Sequence, residues 1–534
     1  MEVVREESLA RSTGPSPPDV TQGVTLLFRA EIFASVFATG AAVILVEILG
    51  TRVIGPVFGV SLFVWSALLA VTLGSLATGY QVGGLLADRA PSQRILGLAV
   101  ATAGVLLCVV PLLSHAVLRF AEAMGPRAGS LFAATVLFVP CLVVLGTMGP
   151  IAVRLMASDF RSAGRGVGAV YAVSTAGSLA GALVTGFVLV PAFETDTILL
   201  GAAAILIVIG AASLARRGLP IALAAIVAPV LALLLRPQPA LPSGISIIDH
   251  SQSLYGRVEV IDDQNRQVRF LRVDHSVLGA QFFRDRSSGF AFIHLLEVVR
   301  FLRPDAKDLL QIGLGTGALP AVLAPQGIKV DVVEIDPAVV RFARQYFGFV
   351  ATGDVYEEDA RVVLGRTQRR YDIVVHDTFT GGTTPEHLLS LEVLRRIHSI
   401  LRPGGVLALN FVGYTSGPNA DASWDLARTL RTVFTTVHAF QDADPADDRD
   451  SPGNVVFFAS DDPLDFTIPA SARFENAACR HVMRSFGRWG VLEQVPDGPL
   501  ITDDHNPLAR LQLPIAEKHF QAMNKLLPVD LWLQ

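Results

Sequence analysis

A multi-pass bundle of apolar helices followed by a soluble α/β domain is the fold class this sequence predicts, and three observations predict it. The 534 residues are 51% hydrophobic and only 17% charged, with a mean hydropathy of +0.48, too apolar for an ordinary soluble chain of this length. The apolar residues are concentrated: charge is sparse from Phe33 to Leu235 and returns to ordinary density from Asp249 onward. Beyond that boundary, strand-like runs alternate with helix-like ones, the pattern of a doubly wound parallel sheet with ligands at the carboxyl ends of its strands. The organisation expected is a disordered N-terminal tail (1–28), a transmembrane part (29–236), a linker (237–245), a small β subdomain (246–290) and an α/β domain (291–534).

The tail is polar and carries Pro15, Pro17 and Pro18, with no apolar run and cleavage site behind it. A bilayer core about 30 Å thick needs ~20 apolar residues per helix, because backbone amides must be satisfied inside the segment. Ile32–Ile54, Leu62–Leu86, Ile95–Leu118, Leu131–Met156, Val167–Phe193 and Thr197–Ala215 meet that length, and Pro220–Leu235, with Pro229 inside it, falls short. Small residues at Gly74, Thr78, Gly79, Gly177, Gly181 and Thr185 have the spacing that lets helices approach closely in lipid. Glu47 is the carboxylate well inside a span, a functional candidate by default, with Arg52 as its candidate partner. Arg5, Arg11 and Arg29 precede the first span; Arg89 and Arg94, then Arg154, Arg161 and Arg165, then Arg216 and Arg217 fall in alternate connections, which marks that side as cytoplasmic.

Cys108, Cys141 and Cys479 are far apart and suggest neither a disulfide framework nor a metal site. The net charge of -5 and the lack of a basic stripe give no reason to invoke nucleic acid. The acidic stretch Asp442–Asp450 reads as a solvated loop, with gathering of cations as the lesser reading.

In the soluble half, Gly256–Asp262 and Val268–Val273 alternate around a turn and predict a β-hairpin. A helix over Phe290–Leu302, a strand over Asp308–Ile312, a glycine turn, a helix and a strand over Val330–Ile335 follow, then strands at Ile373–His376 and Val406–Phe411. Chemistry gathers at the strand ends. In Gly313-Leu314-Gly315-Thr316-Gly317 the missing side chains let backbone approach a ligand, and Glu334, about twenty residues on, stands where a carboxylate takes both ribose hydroxyls. Asp359, before Ala360, is placed to accept from an adenine amine, and Asp377 ends a strand where a reacting group would lie. Any one acid is more often a helix cap or a solvated loop; together the four strand ends make a nucleoside site.

These residues resemble the spermidine synthase family, especially its membrane-fused bacterial branch. Val46-Glu47-Ile48-Leu49-Gly50-Thr51-Arg52 is similar to that branch's opening helix, and Leu85-Leu86-Ala87-Asp88-Arg89 to the end of its second. The hairpin from Tyr255 resembles the family's N-terminal β subdomain. Val333-Glu334-Ile335-Asp336 and Glu358-Asp359-Ala360-Arg361 match its nucleoside acids, Asp377-Thr378-Phe379-Thr380-Gly381-Gly382 its catalytic loop, and Thr502-Asp503-Asp504-His505-Asn506-Pro507-Leu508 its C-terminal signature. The resemblance implies a Rossmann-like, class I methyltransferase-type fold and a transferase that moves an aminopropyl group from decarboxylated S-adenosylmethionine, a co-substrate rather than a resident cofactor, to a small-molecule amine such as putrescine. Asp377 would deprotonate that amine and His294 would lie in its pocket. The chain departs from the pattern at Thr316, where synthases carry an aspartate, at Thr380 and Gly382, where a second acid is usual, and at Ile293 and Gly256. Asp503 and Asp504 are the candidates to supply the missing charge. A homodimer is a further expectation.

Three alternatives stand beside this reading: a methyltransferase using S-adenosylmethionine, to which the Gly-Leu-Gly-Thr-Gly turn is similar although Gln311 replaces its usual acid; a nicotinamide-binding domain, which leaves Asp359 and Asp377 unexplained; and a transporter or sensor, poorly served by so few ionisable groups in the spans. The arginine pattern with seven full spans would put the soluble half outside, away from the cytosolic nucleotides its site calls for. The expectation adopted is a cytoplasmic domain on the inner cell membrane, with Pro220–Leu235 re-entrant or interfacial; the alternative is that the arginine bias misleads.

Overall fold

The computed structural model describes residues 20–59, 62–89, 91–156, 163–215, 241–443, 452–474, 476–528 and 531. The first part of the tail, the stretch Pro220–Leu235 and most of Asp442–Asp450 lie outside the described residues.

Among the described residues, six helices are long and apolar enough to cross a membrane. They are α1 (Val20–Phe58), α2 (Leu62–Arg89), α3 (Gln93–Glu122), α4 (Gly125–Gly146) continued by α5 (Met148–Met156), α6 (Ala163–Val184) continued through a π-helical turn (Thr185–Leu189) into α7 (Val190–Ala192), and α8 (Thr195–Ala215). Their outer faces present Leu73, Leu85, Leu179, Phe187 and Ile205, an apolar exposure that suits lipid and is costly in water. Inside the bundle α3 packs on α8, α2 on α4 and α1 on α6. The small residues explain how: a Cβ on Gly181 would lie 2.6 Å from the Ala41 carbonyl oxygen, and Gly177 and Gly79 meet the backbone of Phe37 and Val143 as closely. Gly74, by contrast, faces open space. Arg52 does not pair with Glu47; its guanidinium donates to the carbonyls of Ser253 (2.8 Å) and Leu254 (2.7 Å) in the soluble half. A cation at the helix end finds carbonyl acceptors there without descending into the bundle.

The soluble half sits on the α1–α2, α3–α4 and α7–α8 connections. Phe58 stacks on Phe520 at 5.8 Å, Arg127 Nε pairs with Glu517 (2.8 Å), Asn524 donates to Glu122 (2.6 Å), and His250 meets Glu194 (3.1 Å). Arg29, Arg89, Arg94, Arg154 and Arg165 lie at the helix ends on the opposite side. The expected placement of the soluble half beside the arginine-bearing connections is therefore corrected: consecutive antiparallel helices put those arginines at one end, and the contacts just named are at the other.

The small sheet has four antiparallel strands in sequence order, β1 (Ile245–Gln252), β2 (Arg257–Asp263), β3 (Val268–Val273) and β4 (Ser276–Phe282). The predicted hairpin is β2–β3; β1 and β4 extend it on either side. The large sheet is formed by β5 (Asp308–Ile312), β6 (Lys329–Val333), β7 (Val355–Tyr356), β8 (Tyr371–His376), β9 (Leu401–Gly413), β10 (Thr436–Gln441), β11 (Gly453–Ser460) and β12 (Gly490–Val491), in the order β12-β10-β11-β9-β8-β5-β6-β7. Pairing is parallel from β7 to β9 and antiparallel from β9 to β12, so the sheet is mixed rather than wholly parallel. Leu309, Val330, Ile373 and Val406 pack on one face and Leu310, Val374 and Leu407 on the other. Burial on both faces is what makes these strands read as unbroken apolar runs.

Candidate active site

The carboxyl ends of β5 to β9 open into a cavity of about 840 Å³ whose walls include Gly313, Leu314, Gly315, Glu334, Asp359, Ala360, Asp377 and Asn410. The glycine turn is dictated by a close approach. Gly313 has φ +86°, its amide donates to Val333 O (2.8 Å) while Asp377 N donates to Ile312 O (2.8 Å), and any Cβ there would strike the Asp377 carbonyl. Only glycine tolerates both conditions, and the result brings the ends of β5, β6 and β8 together.

Each acid is fixed by backbone or amide donors. Glu334 accepts from Leu314 N on Oε2 (3.0 Å) and from Asp336 N on Oε1 (3.0 Å), and burial pushes it up to about 7. Asp359 caps the following helix, accepting from Arg361 N (2.8 Å) and Val362 N (3.2 Å), so the helix-cap reading and the cavity reading hold together. Asp377 Oδ1 accepts from Asn410 Nδ2 (2.9 Å), and burial pushes its carboxyl up to about 6. Desolvation disfavours the charged form, and one amide donor offsets it only in part.

Other predicted site residues fall elsewhere. Thr316 is buried against Gly279 and Gly317 starts the next helix, both one layer behind the cavity wall. His294 does not face the cavity: its helix (Ala291–Leu296) turns it inward, where Nδ1 meets Glu297 Oε1 (2.9 Å) beside Cys479. Asp503 pairs with Arg361, and neither it nor Asp504 is among the lining residues. An exposed arginine offers Asp503 a better partner than a cavity it cannot reach.

Sequence reasoning missed several wall residues. Asp442 is partly buried rather than on an open loop: it lines the cavity, accepts from Asn454 Nδ2 (3.2 Å) on Oδ2, and is pushed up to about 6 by burial. Its signal was its place one residue past β10, a further strand end hidden in a run of acids. Tyr255 and Asp274 line both this cavity and a second one of about 360 Å³ at the seam with the helical bundle. Gly59 and the C-terminal helix (Leu513–Leu526), through Lys518, His519 and Met523, close the far wall. Burial lowers His519 to about 4, so that ring is neutral in the site.

Residues 294–437 match the family model for the spermine/spermidine synthase domain. Over 208 residues, 37% of this chain and 68% of the relative, the chain is 32% identical to the polyamine aminopropyltransferase of Vibrio vulnificus. The chain belongs to the spermidine synthase family. The N-terminal histidine N-methyltransferase of Emericella nidulans is 30% identical over 327 residues, covering 54% of this chain, and this chain spans only 58% of that relative's length. Among solved structures, a probable spermidine synthase from Corynebacterium glutamicum aligns with 46% of this chain and 89% of its own, at 19% identity and a TM-score of 0.37. The relatives of this spermidine synthase-family chain are thus transferases that carry aminopropyl or methyl groups.

Proposed function

We propose that this chain is a membrane-bound aminopropyltransferase that moves the aminopropyl group of decarboxylated S-adenosylmethionine to an amine such as putrescine. The observation that carries the reading is the convergence of Glu334, Asp359 and Asp377 on one cavity with the Gly313–Gly317 turn. In this reading Glu334 takes the ribose hydroxyls, Asp359 the adenine amine, and the glycine turn the body of the nucleoside. The acceptor nitrogen attacks the aminopropyl carbon beside the sulfonium; the carbon–sulfur electron pair leaves on sulfur, giving neutral methylthioadenosine, and the proton lost from nitrogen passes to Asp377. A carboxylate made more basic by burial is closer to the amine it must deprotonate, and an anionic wall favours a cationic acceptor.

The same fold supports methyl transfer from S-adenosylmethionine. That second reading is favoured by the neutral Thr316 in the glycine turn and by the likeness to a histidine N-methyltransferase. Incubating the purified chain with each adenosyl donor and a panel of amines separates the two by product mass. Methylthioadenosine with an aminopropylated amine supports the first reading, S-adenosylhomocysteine the second, and neither product defeats both.

A further inference from the structure

Four neighbouring strand termini bring a second acid to the far side of the cavity. In the order β8, β9, β11, β10 they carry Asp377, Asn410, Asn454 and Asp442. β10 and β9 both run antiparallel to β11, so the end of β10 lies at the same edge of the sheet as the ends of β8 and β9. Each acid is held by one asparagine: Asn410 Nδ2 donates to Asp377 Oδ1 (2.9 Å) and Asn454 Nδ2 to Asp442 Oδ2 (3.2 Å). The Asp442 amide also donates to Asn454 O (3.0 Å), which ties its backbone to β11. Among the described residues, no cationic side chain contributes to the electrostatics of either carboxyl. Asn410 is 5% exposed, and its Oδ1 has no hydrogen-bond partner. The lysines of the cavity, Lys518 and Lys525, belong to the C-terminal helix on another wall.

Two recessed carboxylates that no cation faces among the described residues are unfavourable in an empty cavity and suited to a ligand with more than one ammonium group. We infer that Asp442 is a specificity residue, anchoring the far ammonium of a polyamine acceptor whose near nitrogen reacts at Asp377. The inference rests on the proposed aminopropyl transfer for the identity of the near end. Three strand spacings separate β8 from β10, about 14 Å, so the acceptor that spans both acids is a long one, with chain length to spare over 1,4-diaminobutane.

The test uses the full chain in detergent, saturated with methylthioadenosine, and measures by calorimetry the binding of 1,8-diaminooctane against n-octylamine. The wild type is expected to prefer the diamine by roughly tenfold or more, and Asp442→Asn to lose that preference while keeping its affinity for methylthioadenosine. Asn454→Ala, which leaves the carboxylate in place but unfastened, is the second variant and is expected to lose part of it. A preference for the diamine that survives both substitutions, or an equal loss for both amines, overturns the assignment. Absence of turnover with decarboxylated S-adenosylmethionine, alongside a diamine preference that Asp442→Asn removes, would defeat the proposed reaction and leave the anchoring role standing. Turnover with no effect of Asp442→Asn on diamine over monoamine would do the reverse.

Discussion

Asp377 and Glu334 differ from surface acids in what surrounds them, and that difference sets their pH behaviour. Burial holds Asp377 up to about 6 and Glu334 up to about 7. In the unfolded chain both ionise near the ordinary carboxylate range, so between about pH 4 and 7 the folded protein binds more protons than the unfolded one. The share of stability these two acids contribute must therefore fall as pH rises through that window and level off above it, while the buried neutral His275, His376 and His519, lowered to about 3, 4 and 4, act in the opposite sense as pH rises through the ordinary histidine range. Thermal melts without ligand at pH 5.5 and 8, on the wild type and on Asp377→Asn, isolate the Asp377 part: the wild-type midpoint should drop relative to the variant's at pH 8, and a relative rise would contradict it. For turnover the sign is opposite, because Asp377 must be ionised to take a proton: kcat/KM should drop below about pH 6, and Asp377→Asn should lower kcat about a hundredfold or more. Methylthioadenosine affinity, measured by calorimetry, should change little in that variant. Glu334 and Asp377 were legible in the sequence because each ends an apolar run, and Asp359 because it stands just before the apolar Val362-Val363-Leu364. Asp442 was not, since a neighbourhood of acids looks solvated by composition alone, and His294 was misplaced because likeness to a motif does not say which face of its helix turns inward.

The elements show where periodicity stops being informative. β11 and the second half of β10 are buried like the parallel strands beside them, so nothing in their apolar pattern distinguishes antiparallel from parallel pairing. β1 alternates only between half-buried and exposed positions, too weak a contrast to stand out before the structure pairs it with β2. The connection between β1 and β2 carries Tyr255 to the cavity, and it is held from outside its own domain by Arg52 at the end of α1. Two charge-assisted hydrogen bonds to Ser253 and Leu254 carbonyls restrain a loop that Ser253 Oγ fastens to Asp336 (2.6 Å) on the other side. Arg52→Ala should free that loop, weakening methylthioadenosine binding roughly fivefold through lost preorganisation while leaving the fold of the large sheet intact. Calorimetry beside circular dichroism checks it; an unchanged affinity would mean that the loop holds itself.

At the scale of the whole molecule, the arginines and the soluble half lie at opposite ends of the helical bundle. α1 starts at the arginine end, α8 returns to it at Leu214, and Leu241 leads directly into β1 at the other end. The start of α1 and the cavity are therefore on different sides of any bilayer that the six helices cross. Which side is which follows from charge. Arg29, Arg89, Arg94, Arg154 and Arg165 crowd one end, whereas the short connections at the other end have Glu122, Glu194 and Asp196 opposed by Arg119 and Arg127. Positive residues in short loops stay on the cytoplasmic side, so the cavity is predicted to open on the non-cytoplasmic face, contrary to the expectation drawn from the cytosolic nucleotide pool. The adenosyl donor must then be available on that face. Single cysteines at Arg29 and at the exposed Asp504, probed in intact cells with a membrane-impermeant maleimide after Cys108, Cys141 and Cys479 are replaced by serine, decide the matter. Labelling at position 504 and protection at position 29 is the expected result. Labelling at 29 alone would place the cavity in the cytosol and make this chain an exception to the arginine rule, while equal labelling of both would break the geometry on which the orientation is argued.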